Sequence, residues 1–422
     1  MQRKAKNCYK DILPNGIRVI TEPMPHLHSV SVGIMTHVGS CNETLSIAGS
    51  SHFLEHMLFK GTQKRNAKEI AEAMESVGGQ LNAFTAKEHT CYYAKCLSEN
   101  FGLSMDLLSD MFSNSLIGEN DFNMEKEVIL EEINMCDDTP DDLVHDLFSS
   151  ILWPEHVYGR AIIGSRDSVQ ALSAADLIAH YRNSYLPQST VISVAGNIDR
   201  EQAVGLAGEY FSGFGAAGER LAYGLPVSVS GNGFIHKDIE QSHVCIGFPS
   251  VREYDDDYYP LMVLNCALGG GASSRLFQEA REKKGLTYSI YSYNSSYSLG
   301  GYWAAYSSAN PQKLPEIVKI IMQEIASARE KGLDADEFEK AKRQLRGGII
   351  LSYESNSNVM LKNGRSELVH DRIISMQDSL DRLDAVQLAD VLSAARRIFD
   401  RDKACMALVG PRELKTDIKS ML

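Results

Sequence analysis

The sequence predicts an α+β protein built from two homologous domains in tandem, each a mostly antiparallel sheet backed by helices. Three observations lead there. Several landmarks occur twice, in the same order, at an offset of slightly over two hundred residues. Within each copy, runs of alternating or β-branched residues are separated by segments of helical period. Strands and helices mix without a strict βαβ rhythm, which favours α+β over a parallel α/β sheet.

The repeat opens on a strand, SVSVGI from Ser29, matched by SHVCIGF from Ser242. In the first copy a helix-period segment (AKEIAEAMESV), a strand (HTCYYAKC) and a second helix (ENFGLSMDLLSDMF) follow. ENDFNMEKEVI from Glu119 is matched by DADEFEKAKRQL from Asp334, and LSAADL from Leu172 by LDAVQL from Leu383. VISVAGNID from Val191 closes the first copy and is matched by CMALVGPRE from Cys405. The join falls in FSGFGAAGERLAYGLP, Phe211 to Pro226, whose glycines read as a linker. The expected division is a first domain over 1–212, a linker over 213–227 and a second domain over 228–422.

A chain of 422 residues is long enough for more than one core. Its net charge of -13 speaks against a nucleic-acid partner, because phosphate binding wants a basic surface. An acidic chain suits a basic peptide better, although the charge also serves solubility. The eight cysteines form neither a CxxC pair nor a dense framework, so they read as reduced thiols in a cytoplasmic compartment. The basic N-terminus, MQRKAKNCYKDIL, has no apolar run behind it and gives no sign of a signal peptide. No run is long and apolar enough for a bilayer, so no membrane partner is expected.

The chemistry is concentrated in SSHFLEHMLFKGT, Ser50 to Thr62. On a helix, His52 and His56 lie one turn apart on one face, with Glu55 beside them. Two imidazoles at i and i+4 are a common way to hold zinc, which then wants a third ligand and an open position for water. The order H-x-x-E-H is the inverzincin signature, and its glutamate stands where a general base belongs. The third ligand is expected on the helix EKEVILEEI, Glu125 to Ile133. Glu132 has Val128 and Ile129 one turn before it and Cys136 one turn after, which places it on the packed side. Glu131 has Glu127 and Asn134 as helical neighbours and reads as solvated. Glu125, two turns before Glu132 on the same face, is expected in the catalytic group, either orienting a ligand or polarising water.

HFLEH followed by E-K-x-V-I-x-x-E, with Glu132 76 residues past His56, resembles the M16 (pitrilysin) family of zinc metallopeptidases. HFLEHMLFKGT, GGQLNAFTAKEHTCYY, HVYGRAIIG and SSRLFQEAREKKGLTYS all match its pattern, so the resemblance covers nearly the whole chain. The two-domain length is similar to the processing-peptidase branch and its bacterial relatives rather than to the four-domain insulin-degrading type. The resemblance implies a LuxS/metallohydrolase-like fold, one zinc per chain on His52, His56 and Glu132, and Glu55 as the base. It also implies an enclosed chamber in which a peptide or unfolded segment adds as a strand beside Asn82 and Ala83. Glu88 is a further candidate for supporting the site. In the second copy, DYYPLMVLNCAL and AKRQLRGGII carry no ligands where the first copy has them. That copy keeps Arg281 and Tyr288, which by resemblance approach the scissile carbonyl. The implied activity is a zinc endopeptidase working as a homodimer, or as a heterodimer with a related chain. The alternative is a non-catalytic assembly subunit of the same family.

Overall fold

The computed structural model describes residues 8–215, 223–253 and 255–422. The extreme N-terminal segment and residues 216–222 of the expected linker lie outside them. The chain divides into two compact units. The first is Met1–Ile133, Ala161–Ala222 and Leu351–Ser375; the second is Asn134–Arg160, Tyr223–Ile350 and Met376–Leu422.

In the first unit six strands form one sheet: β1 (Tyr9–Ile12), β2 (Arg18–Pro23), β3 (Ser29–Thr36), β4 (Gln80–Thr85), β5 (Thr90–Leu97) and β6 (Thr190–Gly196). Their order is β1-β2-β6-β3-β5-β4, with β4 at the edge. All neighbours are antiparallel except β2 and β6. The alternation in β3 serves two faces. Val30, Val32 and Ile34 pack into a core with residues of α1 (Ser50–Met57), α2 (Ala67–Glu75), α3 (Phe101–Asn114) and α4 (Glu119–Asp138). On the opposite face Met35 joins Ile20, Val191 and Ala195 against Val359, Met360 and Leu368 of the helix Asn356–His370.

That helix lies close on the sheet. A Cβ on Gly33 would stand 2.5 Å from Met360 Sδ, so only glycine fits there without moving the methionine. Ser193 Oγ donates to the Met360 carbonyl at 2.7 Å. The fully buried Glu367 meets Lys10 at 2.6 Å and Arg18 at 3.3 Å, so its charge is paired.

The second unit repeats the plan with five strands: β7 (Gly231–His236), β8 (Ser242–Ser250), β9 (Ser289–Ser296), β10 (Gly301–Ala309) and β11 (Cys405–Gly410). The order β7-β11-β8-β10-β9 corresponds to β2-β6-β3-β5-β4, including the one parallel pair, β7 with β11. Both pairs of matched strand sequences therefore take equivalent places in the two sheets. Val244, Ile246, Phe248 and Trp303 face a core built with the helices Tyr258–Gly269 and Leu314–Lys331. The other face carries α5 (Pro140–Leu152), from which His145 Nδ1 meets the Tyr293 hydroxyl at 2.6 Å.

The units thus differ from the contiguous 1–212 and 228–422 division. Each half of the sequence lends one helix, α5 or Asn356–His370, to the other half's sheet. Each sheet has two apolar faces, and the lent helix covers the second. Among the described residues, no helix is long and apolar enough to cross a membrane. All eight cysteines are free thiols.

Candidate metal centre

Helix α1 has only eight residues, too short to be stable by itself, so its surroundings must hold it. Its N-cap is Gly49 at φ 96°, which has no side chain to satisfy the first N–H groups. Glu43 does so instead: its carboxylate accepts from Gly49 N at 2.7 Å and Ser51 N at 2.6 Å, and it is buried. The Ser51 hydroxyl meets His180 Nε2 at 3.1 Å. Phe53, Leu54 and Met57 fill the core. With that face locked inward, His52 and His56 project together, their ring centroids 4.7 Å apart.

Glu132 on α4 reaches the same place. Its Oε1 lies 3.7 Å from His52 Nε2 and its Oε2 3.6 Å from His56 Nε2. His52, His56 and Glu132 are the group among the described residues that could hold a metal, with one donor from each all within 4.8 Å. The donor set suits zinc: ligand atoms about 2.0–2.1 Å from a tetrahedral ion stand about 3.3 Å from one another. Burial, with His56 adding to it, pushes His52 down to about 4. Its imidazole is therefore neutral near pH 7, the form that binds a metal. Glu131 is exposed, whereas Glu132 is half-buried at the rim. The packed-side reading of Glu132 needs one correction: Ile129 is buried, but Val128 is 51% exposed. The helix turns Glu132 along the edge of the core rather than into it.

Glu125 is buried behind the imidazoles. Its Oε1 accepts from His56 Nδ1 at 2.9 Å, and its Oε2 pairs with Lys60. That bond fixes the His56 tautomer and leaves Nε2 free to coordinate. Both Glu125 oxygens are thus engaged, an arrangement that suits orienting His56. Lys60, which lies just past the end of α1, was missed in the sequence.

Glu55 accepts from the Thr85 hydroxyl at 2.6 Å. Burial pushes the Glu55 carboxyl up, with the Thr85 hydrogen bond and His56 opposing. Asn82 and Ala83 lie in β4, whose outer edge has no partner strand among the described residues. Glu88 is buried in the turn between β4 and β5 and is not one of the three donors.

In the second unit, Arg281 lies in a π-helix, Phe277–Lys283. Its guanidinium sits 4.6 Å from the Phe277 ring and 4.6 Å from the Tyr288 ring, so the two candidates of that copy are in contact. Tyr288 is 82% exposed, leaving its hydroxyl open to a ligand. The helix Tyr258–Gly269 carries neither histidine nor glutamate.

Residues 18–166 match the family model described as insulinase (peptidase family M16), and residues 171–345 match the one described as the peptidase M16 inactive domain. An uncharacterized zinc protease of Streptomyces coelicolor is 40% identical over 407 residues, covering 94% of this chain and 88% of that protein. YmxG of Bacillus subtilis, also named an uncharacterized zinc protease, is 40% identical over 397 residues, covering 94% and 97%. The crystal structure of a peptidase M16 inactive domain from Pseudomonas fluorescens superposes with a TM-score of 0.90 at 20% identity, covering 97% of this chain and 99% of that one. At that identity the superposition speaks for the fold alone.

Proposed function

The chain belongs to the M16 peptidase family, and on that premise we propose that it is a zinc-dependent endopeptidase acting on peptides or unfolded segments. The observation that carries the reading is the convergence of His52, His56 and Glu132 with Glu55 one residue before a ligand. A zinc ion held there supplies Lewis-acid polarisation of a carbonyl and acidifies a water. Glu55 takes a proton from the attacking water and returns it to the leaving amine. The unpaired edge of β4 offers main-chain hydrogen bonds to an extended peptide, with Asn82 and Ala83 as the contact positions. An occupant recognised by its backbone must be unfolded locally, which excludes stably folded substrates.

The non-catalytic reading would fit a chain with broken ligands. Here the family model described as inactive matches 171–345, which takes in much of the copy without donors, while His52, His56 and Glu132 lie outside it. The test is chelation: wild-type protein should cut a mixed peptide library, lose that activity on metal removal and regain it with zinc. A zinc-loaded protein that cuts nothing in the library contradicts the reading.

The working assembly in this reading is a symmetric dimer in which Arg281 and Tyr288 of one copy serve the metal of the other. A guanidinium and a phenol both donate to a developing oxyanion. Mixing inactive Glu55→Gln and Arg281→Ala chains should then restore about a quarter of wild-type activity if subunits exchange at random. No recovery after exchange is verified by mass contradicts completion in trans.

A further inference from the structure

The base itself is held by a residue outside the metal-binding motif. Thr85 is the last residue of β4, paired in register with Thr90 across the β4–β5 hairpin. The hairpin closes through Ala86 N to the His89 carbonyl at 2.8 Å, and the Thr90 hydroxyl is anchored to the Val38 carbonyl at 2.8 Å. The backbone of Thr85 is therefore fixed, and a β-branched side chain has little freedom about χ1.

A threonine hydroxyl has one proton to give. Two acceptors lie near it: Glu55 Oε2 at 2.6 Å and the Ser51 carbonyl at 3.5 Å. The first is the length of a charge-assisted O–H···O bond and the second is at the limit of any hydrogen bond, so the proton belongs to Glu55. One end of the carboxylate is thus pinned to the edge strand, and Oε1 remains for a water.

We propose that Thr85 is a positioning residue for the reaction: its hydroxyl locks the Glu55 carboxylate in one orientation and ties the base to the strand on which the substrate adds. The inference rests on the peptidase reading above and goes beyond it by coupling two parts of the site. A peptide that pairs with β4 lies on the same strand that holds the base, so backbone recognition and proton transfer share one rigid element. Freeing the carboxylate lowers the fraction of bound substrate that meets a correctly turned base, which reduces kcat and leaves KM unchanged.

The test compares Thr85→Val with Thr85→Ser. Valine keeps the shape and the strand pairing and removes only the hydroxyl; serine restores the hydroxyl. The expected result for Thr85→Val is a loss of about tenfold to a hundredfold in kcat with wild-type KM, the range for a hydrogen bond to a charged group. Thr85→Ser should recover most of that loss. Zinc binding measured by chelator competition should be the same in all three proteins. Crystals of the metal-free proteins should show Glu55 in one rotamer in the wild type and in several in Thr85→Val. Wild-type kcat in Thr85→Val, equal loss in the two variants, or a weakened zinc site in Thr85→Val overturns the proposal. A wild type that binds zinc and cuts no peptide removes the peptidase reading and this inference together; an active wild type matched by Thr85→Val removes this inference alone.

Discussion

Three carboxylates surround the two imidazoles, and their settings assign them different work. Glu125 is buried with both oxygens engaged by His56 and Lys60. Glu132 is half-exposed and faces both Nε2 atoms. Glu55 is tied to Thr85. Glu131 and Glu132 are neighbours in sequence but about 100° apart around the helix, so they make a sharp pair. Glu132→Gln should lower zinc occupancy, whereas Glu131→Gln should leave it unchanged, as read by metal analysis of the purified variants. Equal loss in both would mean that α4 presents a different face. The H-x-x-E-H spacing was legible because one short helix sets it. Glu43 and Thr85 were not, because a hydrogen bond to α1 from another segment leaves no mark on local periodicity. Lys60 was not legible either, because it lies in the turn after α1, where helical spacing no longer applies.

At the scale of the element, α1 is held by contacts that it cannot make alone. The Glu43 carboxylate supplies the cap that Gly49 lacks, and His180 fills the space behind Ser51. Burial pushes His180 down to about 4 from an ordinary value of 6.5. Between those values the unfolded chain binds a proton that the folded chain refuses, so acid favours unfolding across that window. Above pH 6.5 neither state binds it and the effect is gone. The loss from pH 7 to pH 4 amounts to about 3 kcal/mol from this group. Denaturant unfolding across that range should therefore show stability falling with pH, and His180→Gln should flatten the slope. A slope untouched by the substitution would place the titrating group elsewhere.

For the whole molecule, duplication was visible in the sequence and the exchange of helices was not. Matched strands of the two copies carry matched sequences, so order along the chain was enough to find them. In α5 the buried residues Val144, Phe148 and Leu152 recur every four residues. That periodicity announces an apolar face without saying which sheet receives it. The exchange has a consequence. A chain of residues 1–215 expressed alone lacks Asn356–His370 and leaves Ile20, Met35, Val191 and Ala195 uncovered. It should aggregate or bind a hydrophobic dye, and co-expression with residues 216–422 should restore a soluble complex. A monomeric 1–215 with cooperative unfolding would contradict the division into units.

The central claim is that Glu55 is the base of a zinc peptidase and not part of its metal-binding set. Zinc content and peptide-library cleavage, measured side by side for the wild type and Glu55→Gln, test it most directly. The account predicts one zinc per chain in both proteins, with cleavage lower in the variant by about a hundredfold to ten-thousandfold. A Glu55→Gln protein that has lost its zinc, or one that cuts peptides at the wild-type rate, would contradict it.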